Sequence, residues 1–233
     1  MSTLWPEFHR DLADQPVWKR IMTRQPSGFL LGAQFVAMVL IPYLEDVKHG
    51  RVAISVVSFL IVMLALFTVR TTPALTRLAV LIGLPALVFE VWSAVDPDNT
   101  GIFIAAHTLL AIFYLYTAYG LIAYVFADHW VTKDELFAVG AAFTVLAWAF
   151  AYIYLVVQTI YPGSFVAFQG EGQRTFHELL YLSVANITSV GLSDVTPVVA
   201  QARAVAMIEQ ILGVLYVAMV ISRLVALTVM RRG

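Results

Sequence analysis

The sequence predicts an all-α integral membrane protein: six transmembrane helices, with a short re-entrant helix and a polar loop between the fifth and the sixth. Three observations carry this. The 233 residues are 61% apolar and only 12% charged, with a mean hydropathy of +0.83, whereas a soluble domain is about 45–50% apolar and about 25% charged. Six stretches reach the roughly 20 apolar residues that a helix needs to cross the hydrocarbon core. One further helical stretch is too short to cross, and irregular polar backbone follows it. Lipid excludes such backbone unless protein or a water-filled cavity covers it.

The six crossings are expected at Ser27 to Glu45, Arg51 to Val69, Ala74 to Val95, Gly101 to Ala127, Asp134 to Tyr161 and Gln201 to Met230. Between the last two, Pro162-Gly163 and QGEGQ (169–173) mark a turn-rich connection, and TFHELLYLSVANI (175–187) supplies the short helix. Ahead of the first crossing, Leu4, Trp5, Phe8, Leu12, Val17, Trp18 and Ile21 alternate with charges, the pattern of an interfacial amphipathic segment over 1–26.

Six crossings place both termini on one side of the bilayer. The loops on that side, with the termini, hold nine Lys and Arg: Arg10, Lys19, Arg20, Arg24, Arg70, Arg77, Lys133, Arg231 and Arg232. The opposite loops hold four: Lys48, Arg51, Arg174 and Arg203. The positive-inside rule then puts both termini in the cytoplasm of a multi-pass protein of the cell membrane, and the short helix enters from outside.

Several function classes fall away. A net charge of −1 gives nucleic acid nothing to bind; the lipid bilayer is the expected surrounding. There is no cysteine, hence no disulfide, thiolate metal site or cysteine nucleophile. His177-Glu178-Leu-Leu-Tyr181 begins like the zinc motif H-E-x-x-H, but a tyrosine stands where the second ligand belongs. Glu90 and His107 are intramembrane ionisable residues able to pair, sense pH or pass protons. No nucleophile, metal triad or cofactor motif accompanies them, so no enzyme and no cofactor is expected. The fourth crossing, Gly101 to Ala127, contains no Lys or Arg, and so lacks the charges that couple a helix to membrane voltage.

The most informative stretch is NITSVGLSDVTP (186–197). Its backbone carbonyls need partners, and one solution is to face an axis and coordinate dehydrated cations. The stretch resembles the selectivity filter of the tetrameric potassium-channel superfamily, T-T-V-G-Y-G-D followed by x-x-P. Thr188, Ser189, Val190, Gly191, Asp194 and Pro197 fall on that pattern. LLYLSVANI lies where that family has its pore helix, and IEQILGVLYVAMVISRLV is similar to the inner helix of bacterial members. The resemblance covers about Thr175 to Leu224.

It implies a pore domain over 131–233 with a four-helix peripheral unit over 27–130. It also implies a homotetramer, since the chain has one copy of the loop. Potassium or another monovalent cation would be held by the carbonyls of Ser189, Val190, Gly191 and Leu192, with Thr188 at the foot of the pore helix. Gly213, 22 residues past Gly191, stands where relatives place a hinge glycine. Val214, Val217 and Ile221 follow it at helical spacing and are expected to face the cavity, where apolar side chains can gate by dewetting or simply pack. The implied activity is a potassium-type cation channel that conducts passively. The alternatives are a weakly selective or non-selective channel on the same fold, or a non-conducting channel-like subunit.

Two positions depart from the pattern. Leu192 replaces an aromatic residue and Ser193 replaces the second glycine. A non-glycine residue in the left-handed region costs about 1–2 kcal/mol, so the outer filter is expected to relax while the inner sites at Ser189, Val190 and Gly191 persist. Tyr181, at an aromatic position of the pore helix, is expected to brace Asp194. Glu209 either bonds to the pore helix behind the filter or serves ions and pH. Arg223, two turns from the cytoplasmic end, either snorkels or acts at an inner gate.

Overall fold

The computed structural model describes residues 25–45, 57, 60, 61, 64, 73–127, 132–168, 170 and 172–230. The segment 1–24 and most of the expected second crossing lie outside the described residues. Long apolar runs form α1 (Pro26–Glu45), α2 (Pro73–Val95), α3 (Thr100–Ala127), α4 (Lys133–Ile160) and α6 (Ala200–Met230), with α5 (Phe176–Ile187) as the short helix. Five of these six helices are long and apolar enough to cross a membrane. Two-residue strands β1 (Phe165–Val166) and β2 (Thr196–Pro197) pair antiparallel, Phe165 opposite Pro197.

Two helix starts are fixed by side chains. Thr132 accepts from the Glu135 amide while Glu135 accepts from the Thr132 amide, a capping box that opens α4. Thr175 and Glu178 do the same for α5. Each box satisfies two donors that a helix terminus otherwise leaves unpaired. Glu178, the residue of the broken zinc motif, is thereby given a structural task. Among the described residues no group of three potential metal ligands occurs.

α4 is the centre of the protein. Its apolar faces, with Trp148, Tyr154, Val145 and several alanines fully buried, pack on α3, α1, α5 and α6. α3 runs antiparallel to it, with Tyr114 stacked on Trp148 at 6.1 Å and His107 5.7 Å from Tyr152. α1 runs parallel to it. Asp134 accepts from both the amide and the hydroxyl of Ser27 at 3.0 Å, and Thr144 donates to Gln34 further along at 2.7 Å. Close approach needs small residues there: a Cβ on Gly140 would lie 2.9 Å from Leu31. α6 differs from α4, since most of its described side chains are exposed. Its inward face is Ala202, Ala206, Glu209, Gly213, Tyr216 and Val220, with Val205 and Leu224 half-buried beside it; most of its other described apolar side chains are exposed.

Candidate functional site

The site grows from the C-terminal end of α5. Ser183 and Asn186 lie three residues apart on one face of α5, and both meet Glu209 of α6, which has no exposed surface. Ser183 meets Oε1, while Tyr154 of α4 donates to Oε2, the oxygen that Asn186 also approaches. Asn186 donates to the Tyr154 hydroxyl at 3.1 Å and accepts from Gln210 at 3.2 Å. Ser183 also contacts the Ala147 carbonyl at 2.8 Å. One carboxyl group thus joins three helices directly behind α5. A buried carboxyl group without such partners would be costly.

α6 approaches even more closely one turn on. Gly213 faces the last carbonyl of α5, where a Cβ would lie 2.1 Å from the oxygen of Ile187. α6 is one unbroken helix through Gly213, the position expected as a hinge, and the close contact needs a residue without a side chain there.

From this scaffold the 188–194 loop emerges. Thr188 caps α5, its hydroxyl donating to Val184 at 2.6 Å. The amides of Ser189 and Gly191 turn back to the carbonyls of Asn186 and Ala185, both at 2.9 Å. Ser189 adopts φ +58° and Gly191 φ +67°. The left-handed non-glycine residue of the loop is Ser189, which puts backbone strain at the start of the loop; Ser193 is not left-handed. Ser193 instead donates its amide to Gly191, two residues back, at 3.1 Å, and its hydroxyl accepts from the Val195 amide at 3.1 Å. The physical reason is its Cβ: the chain turns tightly around Leu192 rather than passing through a glycine.

That turn corrects a second expectation. The Gly191 carbonyl is engaged within its own chain, whereas the carbonyls of Ser189, Val190 and Leu192 accept no bond among the described residues. The side chains of Val190 and Leu192 are about 70% and 71% exposed, and Asp194 is exposed as well. Beside the loop opens a groove of about 550 Å³ lined by Ala185, Asn186, Ser189, Gly191, Gln210 and Val214, among others. Of the loop, Ser189 and Gly191 line this groove, and no cationic side chain is among its lining residues.

The far end of the loop is clamped by β2 pairing with β1. Val198 donates to Ser164 at 2.9 Å, and Phe165 of β1 packs edge-on against Tyr154 at 5.2 Å. Arg174 anchors the described glycines that precede α5. Its guanidinium donates to the carbonyls of Gly170 and Gly172 at 3.1 and 2.8 Å and pairs with Glu178 at 3.4 Å. The Arg174 backbone exchanges two hydrogen bonds with the Gln158 side chain.

Other expected residues are placed as follows. Among the described residues no hydrogen bond joins Tyr181 to Asp194, and Tyr181 is 43% exposed; the brace behind the loop runs through Glu209 instead. Val214, Val217 and Ile221 lie on the exposed face of α6. Arg223 stacks over the Phe126 ring at 5.0 Å, tying α6 to the end of α3. His107 bonds the Phe103 carbonyl at 2.7 Å, and Glu90 is near enough to act on it electrostatically. The sequence reading missed Tyr154, Ser183, Asn186, Gln210, Gln158 and the clamp by Arg174. Two signals were present: the T-x-x-E spacing at 132–135 and 175–178, and the helical spacing of Glu209, Gly213 and Tyr216.

Residues 140–230 match the family model described as an ion channel. The matched span takes in most of α4, all of α5, the loop and α6, and thus contains every residue of the buried network. It supports an ion channel resident in a membrane, a non-enzymatic role. No curated protein and no solved structure matches the chain.

Proposed function

We propose that the protein is a homotetrameric cation channel in which four copies of the 188–194 loop surround one axis and pass monovalent cations, potassium first among them. The observation that carries this is the loop itself. It is irregular, oxygen-rich backbone held between spanning helices by a buried scaffold, with free carbonyls and exposed Val190 and Leu192 side chains that one chain leaves uncovered. Backbone of that kind is tolerated at membrane depth only against protein or water. The bare apolar surface of α6 fits a helix that meets lipid and sister subunits, and closed cyclic symmetry supplies the latter.

A six-crossing topology accompanies this reading. α1 and α4 run parallel, while α2 to α3 and α3 to α4 are antiparallel hairpins with short connections. α2 therefore starts from the same membrane face as α1, which supports the second crossing expected from the sequence between them. Both termini then lie on the face richer in Lys and Arg, the cytoplasmic one.

Ions lose water against the carbonyls of Ser189, Val190 and Leu192 and leave by mutual repulsion between neighbouring sites. Engagement of the Gly191 carbonyl shortens the row of sites and favours weaker discrimination between potassium and sodium than an unbroken row gives. The test is flux from proteoliposomes under potassium and sodium gradients, with the mass of the assembled particle measured alongside. A tetramer that carries potassium faster than sodium supports the full reading; equal rates support the non-selective form. A monomeric or dimeric particle, or a tetramer without flux, refutes conduction by this loop.

A further inference from the structure

Counting hydrogens around Glu209 decides its chemical form. Ser183 Oγ touches two oxygens, the Ala147 carbonyl and Glu209 Oε1. A hydroxyl carries one hydrogen, and a carbonyl or an ionised carboxylate carries none. With a bare carboxylate, one of these two close oxygen–oxygen contacts would have no hydrogen in it. The other oxygen has no such shortage. Tyr154 accepts from Asn186, so its hydroxyl hydrogen goes to Glu209 Oε2, and the same Nδ2–H of Asn186 is shared with that oxygen at 3.3 Å. Asn186 in turn accepts from Gln210. The only place in the network that lacks a hydrogen is between Glu209 Oε1 and Ser183.

We propose that Glu209 is a neutral carboxylic acid whose Oε1–H donates to Ser183, which passes its own hydrogen to the Ala147 carbonyl. Glu209 is then a positioning residue. Through one relay of hydrogen bonds it ties α6 to α5 and α5 to the backbone of α4, immediately behind the loop. The side chains that face it are Tyr154 from α4, Ser183 and Asn186 from α5; Tyr154 is the only titratable one, and no cationic group is among them. A neutral acid needs no counter-ion there, whereas an ionised one buried among neutral groups would be disfavoured. The claim about its chemical form stands apart from conduction; the positional consequence for the loop rests on the channel reading.

Infrared difference spectroscopy of the full chain in bilayers, parent against Glu209→Gln, reads the group directly. The expected result is loss of a carboxylic-acid C=O band in the variant; loss of a carboxylate band instead overturns the proposal. In Ser183→Ala the acid band moves to higher frequency because its acceptor is gone, and an unmoved band also overturns it. Stability separates the two forms again. Glutamine donates to Ser183 and accepts from Tyr154, so Glu209→Gln keeps the parent's thermal stability. Glu209→Leu strands the Tyr154 hydroxyl and lowers the folding equilibrium about five- to 150-fold. A glutamine variant as unstable as the leucine variant refutes the donor role. If the parent shows the acid band but no ion flux, the channel reading fails and the assignment of Glu209 stands.

Discussion

Gly213 and Ile187 are in backbone-to-backbone contact: the inward face of α6 meets the last carbonyl of α5 where a Cβ would come within 2.1 Å of the oxygen. No rotamer change relieves such a clash, because both partners are main chain. Gly213→Ala is expected to push the end of α5 away from α6 and displace Thr188 and Ser189 with it. Overpacking of this kind costs about 1–3 kcal/mol. The check is thermal unfolding together with liposome flux: a variant with parental stability and flux shows that the contact positions nothing. Met219→Ala, exposed on the same helix and outside the groove, serves as the control.

Asp134 links the start of α4 to the start of α1 through both the amide and the hydroxyl of Ser27. An acceptor at a helix N-terminus contributes about 0.5–2 kcal/mol, and its negative charge adds to this through the helix dipole. Asp134→Ala is expected to lower the unfolding temperature in detergent. Asp134→Asn keeps an acceptor for the amide and loses less. An alanine variant as stable as the parent means that α1 is held by its apolar face alone.

Length and hydropathy placed the described crossings to within about a residue at each end, because the need to satisfy every backbone group in lipid leaves helices of bilayer length as the only option. The short helix at 176–187 was legible for the same reason. What the sequence hid was partnership. Glu209 stood out as a charge in an apolar helix, but its partners Tyr154 and Ser183 come from segments 55 and 26 residues away, and only the packing of three helices brings them together. Gly213 was visible as a glycine, and its reason is a carbonyl on another helix. The turn around Leu192 was half legible: a Cβ at Ser193 argued against the usual loop shape, yet which carbonyl it would capture depends on where the chain is clamped by β1 and β2.

Arg174 reaches the carbonyls of Gly170 and Gly172 and the carboxylate of Glu178 with its guanidinium. Lysine carries the charge without the planar fork. Arg174→Lys is expected to loosen the segment between β1 and α5, and hydrogen bonds to a charged group contribute about 1.5–3 kcal/mol. Limited proteolysis from the outer face of proteoliposomes should cut this segment at least about tenfold faster in the variant. Unchanged cleavage would mean that the β1–β2 pairing and the Gln158 contacts suffice.

Ser193 and Leu192 set the outer half of the loop, and their joint replacement is the sharpest test of how it conducts. Ser193 engages the Gly191 carbonyl through its amide and the Val195 amide through its hydroxyl. In Leu192→Tyr/Ser193→Gly the hydroxyl anchor is gone, glycine enters the left-handed region at little cost, and the tight turn is free to open. The Gly191 carbonyl then joins those of Ser189, Val190 and Leu192 in an unbroken row. The expected outcome is a rise in the potassium-to-sodium flux ratio with the tetramer unchanged. Ser193→Gly alone should move in the same direction by less, since residue 192 still lacks an aromatic ring to hold the opened backbone. A double variant with the parent's ratio would show that the Gly191–Ser193 turn does not limit discrimination, and one that loses flux would show that this turn is what keeps the loop open.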